Sequence, residues 1–149
     1  MLNLITDRTA YDVERWRELH DKGWAGMTEA EKAEWQNGMK GAYNLSDVDR
    51  VRNAVNELVA RFAERGTEVT LGDTSSMPSE FAMGNYLGNV DRVRKAAGVE
   101  ILAPPTPTMN DKFNYERAND LEKILLAVEK WLDSAEVPVY SGERYSGEV

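Results

Sequence analysis

Cysteine is absent from this chain of 149 residues, so disulfides, thiolate zinc sites and cysteine nucleophiles are all excluded. Histidine occurs once, at His20. The carboxylate-bridged di-metal helical bundles need paired Glu-x-x-His units, and the chain has none. Positive charge is in short supply, with 18 Lys and Arg against 26 Asp and Glu and a formal net charge of −8. Nucleic-acid binding depends chiefly on phosphate neutralisation by basic side chains, and no long basic run is present. A nucleic-acid partner is therefore not expected. Long apolar runs are also missing, since no segment approaches the ~20 residues a membrane helix requires. The opening Met1-Leu2-Asn3-Leu4-Ile5 has no basic segment ahead of an apolar stretch, so no Sec signal is expected. Neither Gly-rich phosphate loop occurs, and the Asp-rich segments lack the ligand spacing of an EF-hand.

What is there suffices for a core. Hydrophobic residues make up 42% of the chain, with four Trp, six Tyr and three Phe. The length fits one domain, of a size that folds without covalent staples. A short pattern of Asp or Asn, aliphatic, acid, base and apolar residue recurs along it. It opens at Asp12 (Asp-Val-Glu-Arg-Trp), Asp47 (Asp-Val-Asp-Arg-Val) and Asn89 (Asn-Val-Asp-Arg-Val), and more loosely at Asp120 (Asp-Leu-Glu-Lys-Ile). Its two apolar positions stand three apart and share a helix face. The intervals are unequal, so this is no strict solenoid. Duplication and convergent helix chemistry both account for it, and either one marks four helices.

Apolar stripes define those helices. Val48, Val51, Val55, Leu58 and Phe62 predict a helix over about 47–65, with Ser46 as N-cap, Asp49 in an imperfect capping box and Gly66 as its stop. Ala118, Leu121, Leu125, Val128 and Leu132, widened by Ile124 and Trp131, predict a helix from Tyr115 to Ala135 that touches more than one neighbour. An earlier helix spans Ala10 to Asp21, with Val13, Trp16 and Leu19 or His20 inward. A short one over Glu29–Met39 starts at a Thr28/Glu31 capping box and is anchored by Trp35. Met83, Leu87, Val90, Val93 and Ala97 give a further face, with a break near Gly88 among its readings, because helical glycine costs about 1 kcal/mol relative to Ala. Thr67–Leu71 alternates weakly, as a short strand would. Pro104-Pro105-Thr106-Pro107 is an extended linker ahead of the last helix.

The expected fold is all-α, a bundle of four to five helices over residues 1–136, with a short extended or β C-terminal tail over 137–149. In that tail Tyr140-Ser141-Gly142-Glu143 repeats as Tyr145-Ser146-Gly147-Glu148. A frayed terminus is one reading. The other is a segment ordered by pairing with another subunit, which the two tyrosines motivate.

Chemistry-bearing constellations are few. His20 has no partner that the sequence can position as nucleophile or orienting group. The acid pairs Glu31/Glu34 and Glu14/Glu18 are compatible with the two carboxylates of a glycosidase, but equally with solvated faces carrying ion pairs such as Arg50 with Asp47, or Glu129 beside Lys130 and Asp133. Of the tryptophans at positions 16, 24, 35 and 131, Trp24 lies between Gly23 and Gly26 and is the one expected to be partly exposed. No catalytic residue, metal ligand or cofactor is assigned.

Three stretches carry a resemblance. The first is Leu4-Ile5-Thr6-Asp7-Arg8-Thr9 leading to Asp12-Val13. The second runs from Lys22-Gly23-Trp24 through Met27-Thr28 and Glu34-Trp35 to Met39-Lys40-Gly41-Ala42-Tyr43-Asn44. The third is the closing tyrosine repeat. Together they resemble a family of small proteins, or terminal modules, found among the virion structural genes of tailed phages and prophages of Gram-positive gut bacteria. The resemblance covers nearly the whole chain, least in 67–107. It implies a non-enzymatic, tail-associated structural or adaptor role, with other virion proteins or further copies of the chain as partners, in the virion and in the host cytoplasm during assembly. The partner-binding residues expected on this reading are Tyr140, Tyr145 and Trp24. Rival expectations are a host-surface carbohydrate-binding module and a cell-wall hydrolase or its accessory.

Overall fold

The computed structural model describes residues 2–98 and 101–135. Those residues hold five α-helices and no strand: α1 (Ala10–Lys22), α2 (Glu29–Gln36), α3 (Leu45–Glu64), α4 (Glu80–Ala97) and α5 (Tyr115–Ala135), with a 3-10 turn at Trp24–Gly26. The all-helical expectation holds for them. The tail, 137–149, lies outside the described residues.

Helices α3, α4 and α5 pack on one another and enclose the main core. The stripes put it there. Val51, Val55, Leu58 and Phe62 of α3 meet Leu121, Leu125, Val128 and Leu132 of α5, all buried. Each such side chain contributes roughly 1.5–3 kcal/mol by leaving water. Helix α3 begins two residues earlier than its stripe predicts. Its N-cap is Asn44, whose backbone N–H donates to the Asp47 carboxylate at 2.6 Å, so the capping acid is Asp47 and not Asp49, and Ser46 lies inside the first turn. It ends where expected. Gly66 has φ +84° and donates to Ala63, while Thr67 donates back to Phe62, the paired bonds of a Schellman motif.

Helix α4 is unbroken through Gly88. Its buried face, Ala82, Tyr86, Asn89 and Val93 with Leu87, Val90 and Ala97, points into the bundle. Gly84 and Gly88 lie on the side lined by the extended linker over 103–109, which is pinned by Thr106 to Asp91 at 2.8 Å and by Arg94 to the Ala103 carbonyl at 3.2 Å. The linker is laid along α4 before the chain turns into α5. Residues 67–71 form no strand, against the expectation from their alternation. The neighbouring Gly72 is held instead by the Asn89 side chain, which accepts from its N–H at 2.8 Å and donates to its carbonyl at 3.0 Å.

A second, smaller core lies under α1 and α2, where Leu19, Met27 and Met39 are buried between Trp16 and Trp35. Leu19 rather than His20 points inward. Both helices start with reciprocal capping boxes, Thr9/Asp12 and Thr28/Glu31. Helix α2 stops at Gln36, short of the expected Met39, because Gly38 takes φ +85° and turns the chain. The four copies of the short pattern occupy different places: Asp12 and Asp47 serve as capping acids, whereas Asn89 and Asp120 fall inside α4 and α5.

Candidate functional site

The feature that organises the molecule begins with the arm ahead of α1. Residues 2–8 run antiparallel to α5, and α5 offers them a ladder of side-chain acceptors. The Leu2 N–H donates to Glu129 at 2.6 Å, the Ile5 N–H to Glu122 at 2.9 Å and the Arg8 N–H to Asn119 at 3.0 Å. Asn119 also donates to the Arg8 carbonyl at 2.9 Å. Backbone without helix or sheet partners must be satisfied somehow, and here three side chains of one helix do it. Glu129 is therefore turned inward rather than sitting on a solvated face with Lys130 and Asp133, as the sequence suggested.

At the end of the ladder lies a buried ionic cluster. The Arg8 guanidinium reaches Glu122 at 2.8 Å and Asp47 at 3.2 Å, and Arg50 reaches the same two acids at 2.7 and 2.6 Å. Two cations meet two anions, so the cluster is neutral. Glu122 is 0% exposed and the Arg8 side chain 2%. Hydrogen bonding to Glu122 raises the pKa of Arg50 and holds it protonated. Above the cluster the Tyr43 ring lies 5.6 Å from the Arg8 guanidinium, and its hydroxyl bonds that of Tyr86. Burial raises the pKa of both tyrosines far enough to keep them neutral protein side chains at any working pH.

This scaffold shapes a cleft of about 430 Å³ between α1, the 40–43 segment and the start of α5. Its walls are aromatic: Trp16 on α1, Tyr43, and Phe113 with Tyr115 at the entry to α5. Tyr43 and Phe113 meet edge to face with centroids 4.9 Å apart. Arg8, Lys40 and Asn114 supply the polar lining, and Lys40 pairs with Asp7 at 2.8 Å. That bond holds the Asp7 carboxyl below its ordinary value. Gly41 fixes how close the two cores come, because a Cβ there would fall on the backbone carbonyl of Asp12. An apolar pocket with a few polar groups at one side is the usual form of a binding site for a small group or an inserted side chain.

The residues singled out from the sequence lie elsewhere. Trp24 sits on the 3-10 turn, 47% exposed, with the Lys32 ammonium 5.1 Å from its ring centre. It is more exposed than the other three tryptophans, as expected, but it does not line the cleft. Tyr140 and Tyr145 lie outside the described residues. His20 is exposed and stacks on Trp16 at 4.9 Å, with Asp21 3.4 Å away. Three of the four acids considered as catalytic pairs are engaged by cations, Glu34 and Glu18 by Arg15 and Glu31 by Lys22 at 2.8 Å, while Glu14 is exposed on α1. Among the described residues, no group of three or more His, Asp or Glu could hold a metal ion, and no helix is long and apolar enough to cross a membrane.

Sequence reasoning missed Arg8, Tyr43, Phe113 and Glu122. One signal was available for the acids. Glu122 and Glu129 each stand four residues after an inward position, Ala118 and Leu125, and so lie on the edge of the buried face. Compared with known proteins, the chain matches no family model, no curated protein and no solved structure.

Proposed function

We propose that this protein is a non-enzymatic structural or adaptor component of a tailed-phage particle, tail-associated, that works through protein–protein contacts. The resemblance of its opening, its 22–44 stretch and its closing tyrosine repeat supports the particle. The observation that carries the contact role is the engagement of three of the four acids considered for catalysis. Glu18, Glu31 and Glu34 are tied to cations, and Glu122 and Glu129 hold the N-terminal arm. Side chains committed in this way build shape, and the aromatic cleft and exposed Trp24 are what that shape offers to a partner. Other virion proteins or further copies of the chain are the partners, in the particle and in the host cytoplasm while it assembles. Mass spectrometry of density-purified particles tests this. The chain should be recovered at a fixed stoichiometry to the major tail proteins, and its absence from particles whose host makes it would refute the reading.

The exposure of Trp24 favours one second reading, a module for host-surface carbohydrate, since aromatic faces stack on sugars. On that reading glycan-array binding is seen with the purified chain and disappears in Trp24→Ala.

A further inference from the structure

We infer that the cleft walled by Trp16, Tyr43, Phe113 and Tyr115 receives a tyrosine of the C-terminal Tyr-Ser-Gly-Glu repeat from a second copy of the chain. The inference rests on the contact role proposed above and gives it a place and an occupant.

Chain length excludes Tyr140 of the same molecule as the donor and leaves Tyr145 of the same molecule only a straight path back along the helix. The cleft lies at the start of α5, where Tyr115 and Ala118 line it. The tail begins beyond the other end of that helix. Twenty-one residues of α-helix put roughly 30 Å between the two. Tyr140 stands five residues past Ala135, and five extended residues span at most about 18 Å. Its own cleft is out of reach. Tyr145, ten residues past Ala135, commands about 36 Å at full extension. It would have to run straight back along the helix, with almost nothing left to turn and enter. A neighbouring copy imposes neither limit.

The chemistry fits as well. The volume is at the low end of the ~300–1,000 Å³ of small-ligand pockets, room for one ring and its immediate neighbours. Tyr43 and Phe113 already meet edge to face, and an entering ring can add further offset or edge contacts. A tyrosine also carries a hydroxyl that must keep a polar partner when buried, and Lys40 stands among the lining residues. Among the described residues Lys40 pairs with the exposed carboxylate of Asp7, a surface pair that exchanges easily. Each tyrosine of the repeat is followed three residues later by an acid, Glu143 or Glu148. A carboxylate that close to the inserted ring can reach the Lys40 ammonium. Tail of one copy into cleft of the next is a heterologous contact, which closes into a ring or continues as an open filament according to the rotation between copies.

The test uses the full chain with both tail tyrosines replaced, Tyr140→Ala/Tyr145→Ala, as receptor, and a fluorescent peptide of residues 137–149 as probe. Fluorescence anisotropy should show saturable binding. Phe113→Ala in the receptor, or alanine at both tyrosines of the peptide, should weaken it about tenfold or more. Lys40→Glu, with its fold checked by helical circular dichroism, should weaken it too, and a peptide with Glu143→Lys and Glu148→Lys should restore binding to that variant. The inference is overturned if the peptide does not bind, if Phe113→Ala retains both helical circular dichroism and full binding, or if Trp24→Ala abolishes binding while Lys40→Glu does not. Loss of this interaction from a chain still found in purified particles would sink the tail-in-cleft contact alone. Absence from particles despite tight peptide binding would sink the functional reading alone.

Discussion

At the scale of single residues, the molecule is governed by a neutral four-membered charge cluster. Buried ion pairs add little against an apolar replacement, but removing one member leaves an uncompensated buried charge. Glu122→Gln leaves Arg8 and Arg50 sharing Asp47 alone, and Arg8→Ala leaves Asp47 and Glu122 sharing Arg50 alone. Each should cost about 3–5 kcal/mol in urea-melt stability. A cost under about 1 kcal/mol would show that the cluster is hydrated and cheap to open. The glycines make the opposite kind of prediction. A Cβ at Gly84 would meet only Met109 at 4.0 Å, and one at Gly88 only the Arg92 guanidinium at 3.7 Å. Alanine at either position should raise stability by roughly 0.4–1 kcal/mol through helix propensity and the unfolded chain. Alanine at Gly41 should instead push α1 away from the 40–43 segment and open the cleft, because backbone stands where its methyl group would go. Thermal melts of the three variants check these signs together.

At the scale of elements, the clasp between α1 and α2 carries an acid-sensitive bond. The hydrogen bond from Lys22 lowers the pKa of the Glu31 carboxyl below its ordinary value of 4.5, and the Thr28 backbone adds to it. A carboxyl with a lowered folded-state pKa contributes stability above its unfolded value and loses it as pH falls through the folded one. The clasp should therefore weaken below about pH 4.5, ahead of the main bundle. In a Trp131→Phe background the fluorescence of Trp16, Trp24 and Trp35 reports that region alone. An acid transition coincident with loss of total helicity would contradict the ordering.

Helices were the legible part of the sequence, and the reason is periodicity. The stripe from Ala118 to Leu132 and the capping pair Thr28/Glu31 are local patterns, so they placed α5 and the start of α2 without knowledge of the rest. The arm and the linker have no period. Leu2, Ile5 and Arg8 are held by residues more than a hundred positions away, and each bond joins a backbone N–H, which carries no sequence signature, to a side chain that reads as ordinary surface. Asn89 was legible as part of a repeated pattern, but its role in clamping Gly72 was not. The cleft was hidden for the same reason: Trp16, Tyr43 and Phe113 come from three distant segments that meet only once the arm and Gly41 have set the spacing of the two cores.

At the scale of the whole molecule, a three-helix core, a smaller α1–α2 unit and an arm that locks along α5 leave one aromatic cleft near the start of that helix. The tyrosine repeat follows α5 in the sequence. On the proposed reading such a body acts by being held and by holding, and the tail is the part assigned to the contact. The direct measurement is the amount of protein in purified particles when the chain is ended after residue 136, compared with the full chain at equal expression. The account predicts that the truncated protein keeps its helical circular dichroism and melts as before, yet is lost from the particles. Incorporation of the truncated chain at the level of the intact one would contradict it.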